Sequence, residues 1–238
     1  DPKFAKLEKN TLLPLADGET TLKVEFGGRT LTVPVKVGKA TEDRPLAFSV
    51  DVMPVFLKAG CNTGSCHGSS SGKDKFRLSL FGFDPQGDYN RLTREEVGRR
   101  INIARPDDAL IVEKSLGRVT HTGGKRFEKD SWEYRAFVEW LSAGAPSDPP
   151  KTPTVVDLEI YPLQAVLEGG GAKQQLAVRA KYSDDTDRDV TEQTMFISNN
   201  SIAAAATPEG LVTSGKPGEA FIMARFDQIT TGTQILSI

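Results

Sequence analysis

Of the two cysteines and two histidines in 238 residues, three stand within the seven positions from Cys61 to His67. In the run AGCNTGSCHG, Cys61 is followed after four residues by Cys66 and then directly by His67. That order suits covalent haem attachment. Each thiol can add across a haem vinyl group to give a thioether, and a histidine straight after the second cysteine then lies beneath the iron as a ligand. The spacing is two residues longer than the usual C-x-x-C-H, and Gly64 and Ser65 are small enough for a wider loop beside a porphyrin. Two other uses of these residues stay open. One is a Cys61–Cys66 disulfide in an exported chain. The other is zinc held together with His121, although adjacent Cys66 and His67 suit one tetrahedral ion poorly.

A second axial ligand is expected from the loop before the last helical segment. That loop, VTHTGGKRFEKDS, lacks Met but contains His121, 54 residues after His67 (121 − 67). The expectation is therefore iron held by His67 and His121, with Met53 as the alternative. Met195 and Met223 fall in strand-like runs and read as core. Phe76, Leu80 and Phe81 are candidates for a haem wall, and Arg99 and Arg100, with Arg105 and Arg126 behind them, for pairing with haem propionates. Iron closed by two imidazoles favours electron transfer at low potential over oxygen or peroxide chemistry, so an enzyme is not expected. A peroxidase would need an open sixth position. In a further alternative, haem only stiffens a structural or adhesion module that binds carbohydrate or cell-surface partners.

These side chains must be held by short elements. TLKVEFGGRTLTVPVKV alternates apolar and polar residues on both sides of Gly27-Gly28 and predicts a β-hairpin. Asp51 is placed to cap a helix running to Ala59 and ended by Gly60; Asp84-Pro85 starts another to about Val97, and Pro106-Asp107-Asp108 a third. Asp130 is placed to cap SWEYRAFVEWLSAG, whose Tyr134, Phe137, Val138 and Leu141 share one helical face before Gly144. After the proline-rich PSDPPKTPT come short β-like runs at intervals set by turn residues, the pattern of an antiparallel sandwich. A shift of 200 positions (218 − 18) brings Gly18-Glu19, Leu22, Phe26 and Thr30 onto Gly218-Glu219, Ile222, Phe226 and Thr230. The first hairpin thus looks like the last two strands of a second sandwich, and because a lone hairpin is marginal it should pack on the helical module or belong with strands further upstream.

The net charge of −2, with Lys and Arg scattered among Asp and Glu, gives no basic stripe for a nucleic-acid backbone. No run approaches the roughly 20 apolar residues of a membrane helix. Acidic SDDTDRD lacks the glycine and distal glutamate of an EF-hand and reads as a solvated turn. EGGGAK lacks the helix start that a phosphate loop needs.

GCNTGSCHG, KFRLSLFGFDP, GRR and SWEYRAFVEWLSAGAP together resemble the cytochrome c-like domain of large planctomycete surface and periplasmic proteins. RAKYSDDTDRDVT and GLVTSGKPGEAFIMARF resemble bacterial group 2 Ig-like domains. The resemblance implies a multidomain chain: a partial Ig-like segment (1–40), a mainly α haem domain (41–146), a proline-rich linker (147–153) and an Ig-like β-sandwich (154–238). It implies one covalent haem c, a redox partner protein, and a periplasmic or cell-surface location.

Overall fold

The computed structural model describes residues 1–8, 11–42, 44–96 and 98–238, which form two compact units, Asp1–Pro45 and Leu46–Ile238. In the first unit, β1 (Ala5–Glu8) pairs with β2 (Thr11–Pro14), and β3 (Gly18–Phe26) pairs with β4 (Arg29–Val37), both antiparallel. Gly27 and Gly28, at φ 57° and 73°, make the tight turn that the alternating pattern requires.

The second unit opens with helical segments. A π-helical turn, Phe48–Val52, runs into α1 (Met53–Lys58); α2 (Pro85–Thr93), α3 (Leu110–Ser115) and α4 (Trp132–Ser142) follow. Phe48, Val52, Phe56, Val112, Phe137 and Trp140 from these segments share one core. The Asp84 carboxylate accepts the Gly87 N–H at 3.0 Å with Pro85 in the first turn, as the sequence predicts. The helix ends at Thr93 and residues 94–96 form a turn, short of the expected extension to Val97, which itself lies outside the described residues. Two expected caps are corrected. Asp51 lies inside the first helical segment and accepts the N–H of Ala47 at 2.7 Å. Asp130 is left-handed at φ 67°, and Ser131 caps α4 through the Tyr134 N–H.

The strands that follow are β5 (Val155–Tyr161), β6 (Gln164–Leu167), β7 (Lys173–Gln175), β8 (Ala177–Tyr182), β9 (Asp187–Asp189), β10 (Met195–Ser198), β11 (Ala204–Ala206), β12 (Leu211–Ser214), β13 (Gly218–Phe226) and β14 (Ile229–Ser237). They make sheets of order β10-β13-β14-β6, β11-β12-β7 and β5-β8-β9, in which only the β14–β6 pairing is parallel among the described residues. Leu158, Val178, Ile222, Phe226 and Ile235 lie in their common core. The sheets grip the helical part directly. Lys58 Nζ donates to the Thr194 carbonyl at 2.7 Å and to that of Pro208, and the guanidinium of Arg225 lies 4.4 Å over the Phe81 ring.

The expected fold class, a mainly α haem domain flanked by β-sandwich segments, is overturned. The chain is mainly β, with 34% strand against 18% helix and four α-helices among the described residues. The physical reason lies in 46–146, where the longest helix has 11 residues. Helices that short are marginal by themselves and are held by packing, and the Gly-, Ser- and Pro-rich stretches between them form irregular loops rather than longer helices.

Candidate functional site

The loop after α1 is set by backbone hydrogen bonds. Gly60 at φ 70° ends the helix, Cys61 N–H returns to the Phe56 carbonyl at 2.9 Å, and His67 N–H donates to the Cys61 carbonyl at 2.9 Å. The chain thereby folds back so that the histidine stands beside the first cysteine. Asn62 is fully buried at the centre. Its carbonyl accepts the Phe81 N–H at 3.0 Å, and its amide bridges the Phe56 carbonyl and the Gly82 N–H, each at 3.2 Å. Gly68 must be glycine, because a β-carbon there would sit 2.1 Å from the Asn62 carbonyl oxygen.

Both thiols are free, so the short disulfide does not form in this structure. Cys61, partly exposed as a residue, packs on the helical core, and burial of its thiol pushes the pKa up to about 12 against the pull of the Arg126 charge. His67 is half-buried, and its Nδ1 lies 2.9 Å from the Phe76 carbonyl. A carbonyl can only accept, so Nδ1 carries the proton and Nε2 keeps its lone pair. Burial, the largest influence, lowers the His67 pKa and favours this neutral form.

His121 comes from the loop between α3 and α4. Its Nδ1 meets the Gly124 carbonyl at 3.2 Å. The two imidazole planes are within 5° of parallel and their centres are 6.2 Å apart. That centre-to-centre distance equals the one two imidazoles on opposite sides of a single metal would have. About 2 Å from metal to nitrogen, plus about 1 Å from nitrogen to ring centre, gives about 6 Å in all when both sides are counted. Each ring has its Nδ1 within hydrogen-bond distance of a backbone carbonyl, as histidine ligands usually do. Arg126 holds the two loops together: Nε donates to the Ala59 carbonyl at 2.8 Å, Nη2 donates to the same carbonyl, and Nη1 donates to the Gly123 carbonyl at 2.8 Å.

His67, His121 and Cys61 line one cavity of about 100 Å³ that opens to solvent. Its apolar wall includes Phe56, Phe76, Leu92, Leu110 and Ile111, and four cations against two anions stand around it: Lys73, Arg99, Arg100 and Lys114 against Asp74 and Glu96. Arg100 is buried beneath the Phe76 ring, 4.5 Å from its centre, and donates to the Arg91 and Glu95 carbonyls. Arg99 is exposed and pairs with Glu96 at 3.3 Å.

The structure therefore brings Cys61, His67, Phe76, Arg99, Arg100 and His121 to one cavity. Cys66 stands on the same loop but does not line that cavity. Leu80 and Phe81 are elsewhere and correct the expected wall. Phe81 adopts φ 54° within a tight turn and presents its ring to Arg225, while Leu80 is 41% exposed and does not line the cavity. Met53 points away as well, toward Gly82 and a small separate hollow. Leu92, Ile111 and Lys114 were not legible as site residues, because nothing in the pattern of α2 or α3 tells which face meets the loop.

Two imidazoles are too few for a bare ion, and no group of three or more His, Cys, Asp or Glu fit to hold a metal occurs among the described residues. A macrocycle that brings its own four nitrogens fits the donor set, the apolar wall and the cationic rim. Among the described residues no helix is long and apolar enough to cross a membrane. Comparison of the sequence with protein-family models and with curated proteins finds no match.

Proposed function

We propose that this cavity takes one haem, joined to the chain through Cys61 and Cys66, and that the chain is an electron-transfer module of an exported protein. The observation that carries the reading is the pair of near-parallel imidazoles, 6.2 Å apart, on one cavity beside Cys61. Haem iron supplies a one-electron couple when bound. His67 and His121 would hold it from both sides, leaving no position for oxygen or peroxide, and two imidazoles favour a lower potential than a histidine–methionine pair. Phe56, Phe76, Leu92 and Ile111 exclude water. Lys73, Lys114, Arg99 and the inner Arg100 offer positive charge to the propionates, with the arginine forks suited to carboxylate geometry.

Production in a host that attaches haem to c-type cytochromes, followed by mass spectrometry of the denatured chain, tests covalent attachment. One added haem per chain is expected, absent from the Cys61→Ala, Cys66→Ala double variant. A parent protein whose denatured mass is that of the bare polypeptide overturns the proposal.

A further inference from the structure

The hairpin β3–β4 repeats β13–β14 residue for residue. Pairing runs from Gly18 opposite Val37 to Phe26 opposite Arg29 in one, and from Gly218 opposite Ser237 to Phe226 opposite Ile229 in the other. The offset is 200 at both strand starts (218 − 18 and 229 − 29). It extends backwards, since β2 at Thr11–Pro14 matches β12 at Leu211–Ser214 and each pairs with the strand before it. The first unit thus reproduces, in order, the last four strands of the second.

What differs is the cover. Side chains alternate across a strand, and directly opposed residues share a face. Leu22, Val24, Leu31 and Val33 therefore line one side of the hairpin, while Lys23, Glu25, Thr30 and Thr32 line the other. In the C-terminal copy the corresponding face is core, and Phe226 is 1% exposed; in the first unit Phe26 is 87% and Leu31 63% exposed. The copy's hairpin is flanked by β10, antiparallel to β13, and by β6, parallel to β14. Both flanking strands precede β11 in the chain. An apolar hairpin face with no third strand on either edge among the described residues is an unfinished sheet.

We infer that the apolar face of β3–β4 is the docking surface for a set of strands built like Val155–Ser198, supplied by the same polypeptide on the N-terminal side of Asp1. A second copy of this chain does not fit, because its β6 and β10 are already bonded to its own β14 and β13. The inference does not depend on the haem reading.

Hydrogen exchange read by mass spectrometry, on the 238-residue chain and on the natural polypeptide carrying its preceding residues, tests this. Exchange at Ala220–Ser237 serves in both as the internal standard of a folded chain. The Thr20–Val37 amides are expected to exchange rapidly in the shorter chain and to slow on the order of 100-fold or more in the longer one. A hydrophobic dye that binds the shorter chain, but not its Phe26→Asp variant, should fail to bind the longer one. The inference is overturned if Thr20–Val37 stays unprotected in the longer chain, if the shorter chain already protects it as a monomer or on self-association, or if the mature polypeptide begins at Asp1.

Discussion

His67 and His121 present imidazoles parallel within 5°, 6.2 Å between centres, each with Nδ1 against a backbone carbonyl. If both are axial ligands, their removal has different consequences. In His121→Ala the thioethers and His67 remain, so haem stays on the chain, and the reduced protein gains carbon monoxide binding that the parent lacks. Titration by absorption spectroscopy reads this. Carbon monoxide binding to the parent with His121 intact contradicts it.

Arg126 spans the Ala59 and Gly123 carbonyls, two residues before Cys61 and two after His121. Arg126→Gln leaves carbonyls without their donors, a loss of about 1–3 kcal/mol in unfolding free energy. It also frees the His121 loop, so the haem-loaded variant should show a high-spin fraction absent from the parent. Arg126→Lys keeps the charge but not the fork and should restore the spectrum only in part.

Gly68→Ala forces a β-carbon to 2.1 Å from the Asn62 carbonyl oxygen. The attachment loop must shift, and a loss of about 2 kcal/mol or more is expected from denaturant unfolding of the unloaded chain, in the range seen for overpacking. Gly98→Ala, where nothing lies within 4 Å of the added carbon, separates the effects: its only penalty is the left-handed backbone, φ 77°.

Tyr134 on α4 donates its hydroxyl to Asp107, just before α3, and this bond raises the phenol pKa to about 12 from 10.0. The folded value lies above the unfolded one. The bond's contribution is therefore complete below pH 10 and fades as pH rises from 10 to 12. Unfolding measured across that window should show the parent losing more stability than Tyr134→Phe, which is already the weaker of the two at pH 8.

Phe226→Ala, in the closed core, should cost about 3–5 kcal/mol. Phe26→Ala, its exposed counterpart, should stay within about 0.5 kcal/mol in the 238-residue chain. Thermal unfolding of both variants checks the contrast that the repeat creates.

Local signals were readable where one residue type dictates a backbone. The Gly27-Gly28 turn, the Asp84-Pro85 cap and the amphipathic face of α4 all follow from spacing, and the 200-residue repeat follows from alternation. Asp130 and Ser131 show the limit: both residues can cap, and only the left-handed backbone of Asp130 decides for Ser131. Phe81 was misread because a tight turn, invisible in composition, rotates its ring to the sheets. The mainly α expectation failed because short helical patterns were counted without the irregular loops between them. His121 was found by elimination among two histidines; its partner geometry needed the fold.

If His67 and His121 ligate haem as proposed, their near-parallel imidazole planes also carry a spectroscopic signature. The electron paramagnetic resonance spectrum of the oxidised, haem-loaded protein is expected to show a rhombic low-spin signal from two parallel imidazoles, lost in both His67→Ala and His121→Ala. A high-spin signal in the parent, or no haem signal at all, would contradict the account.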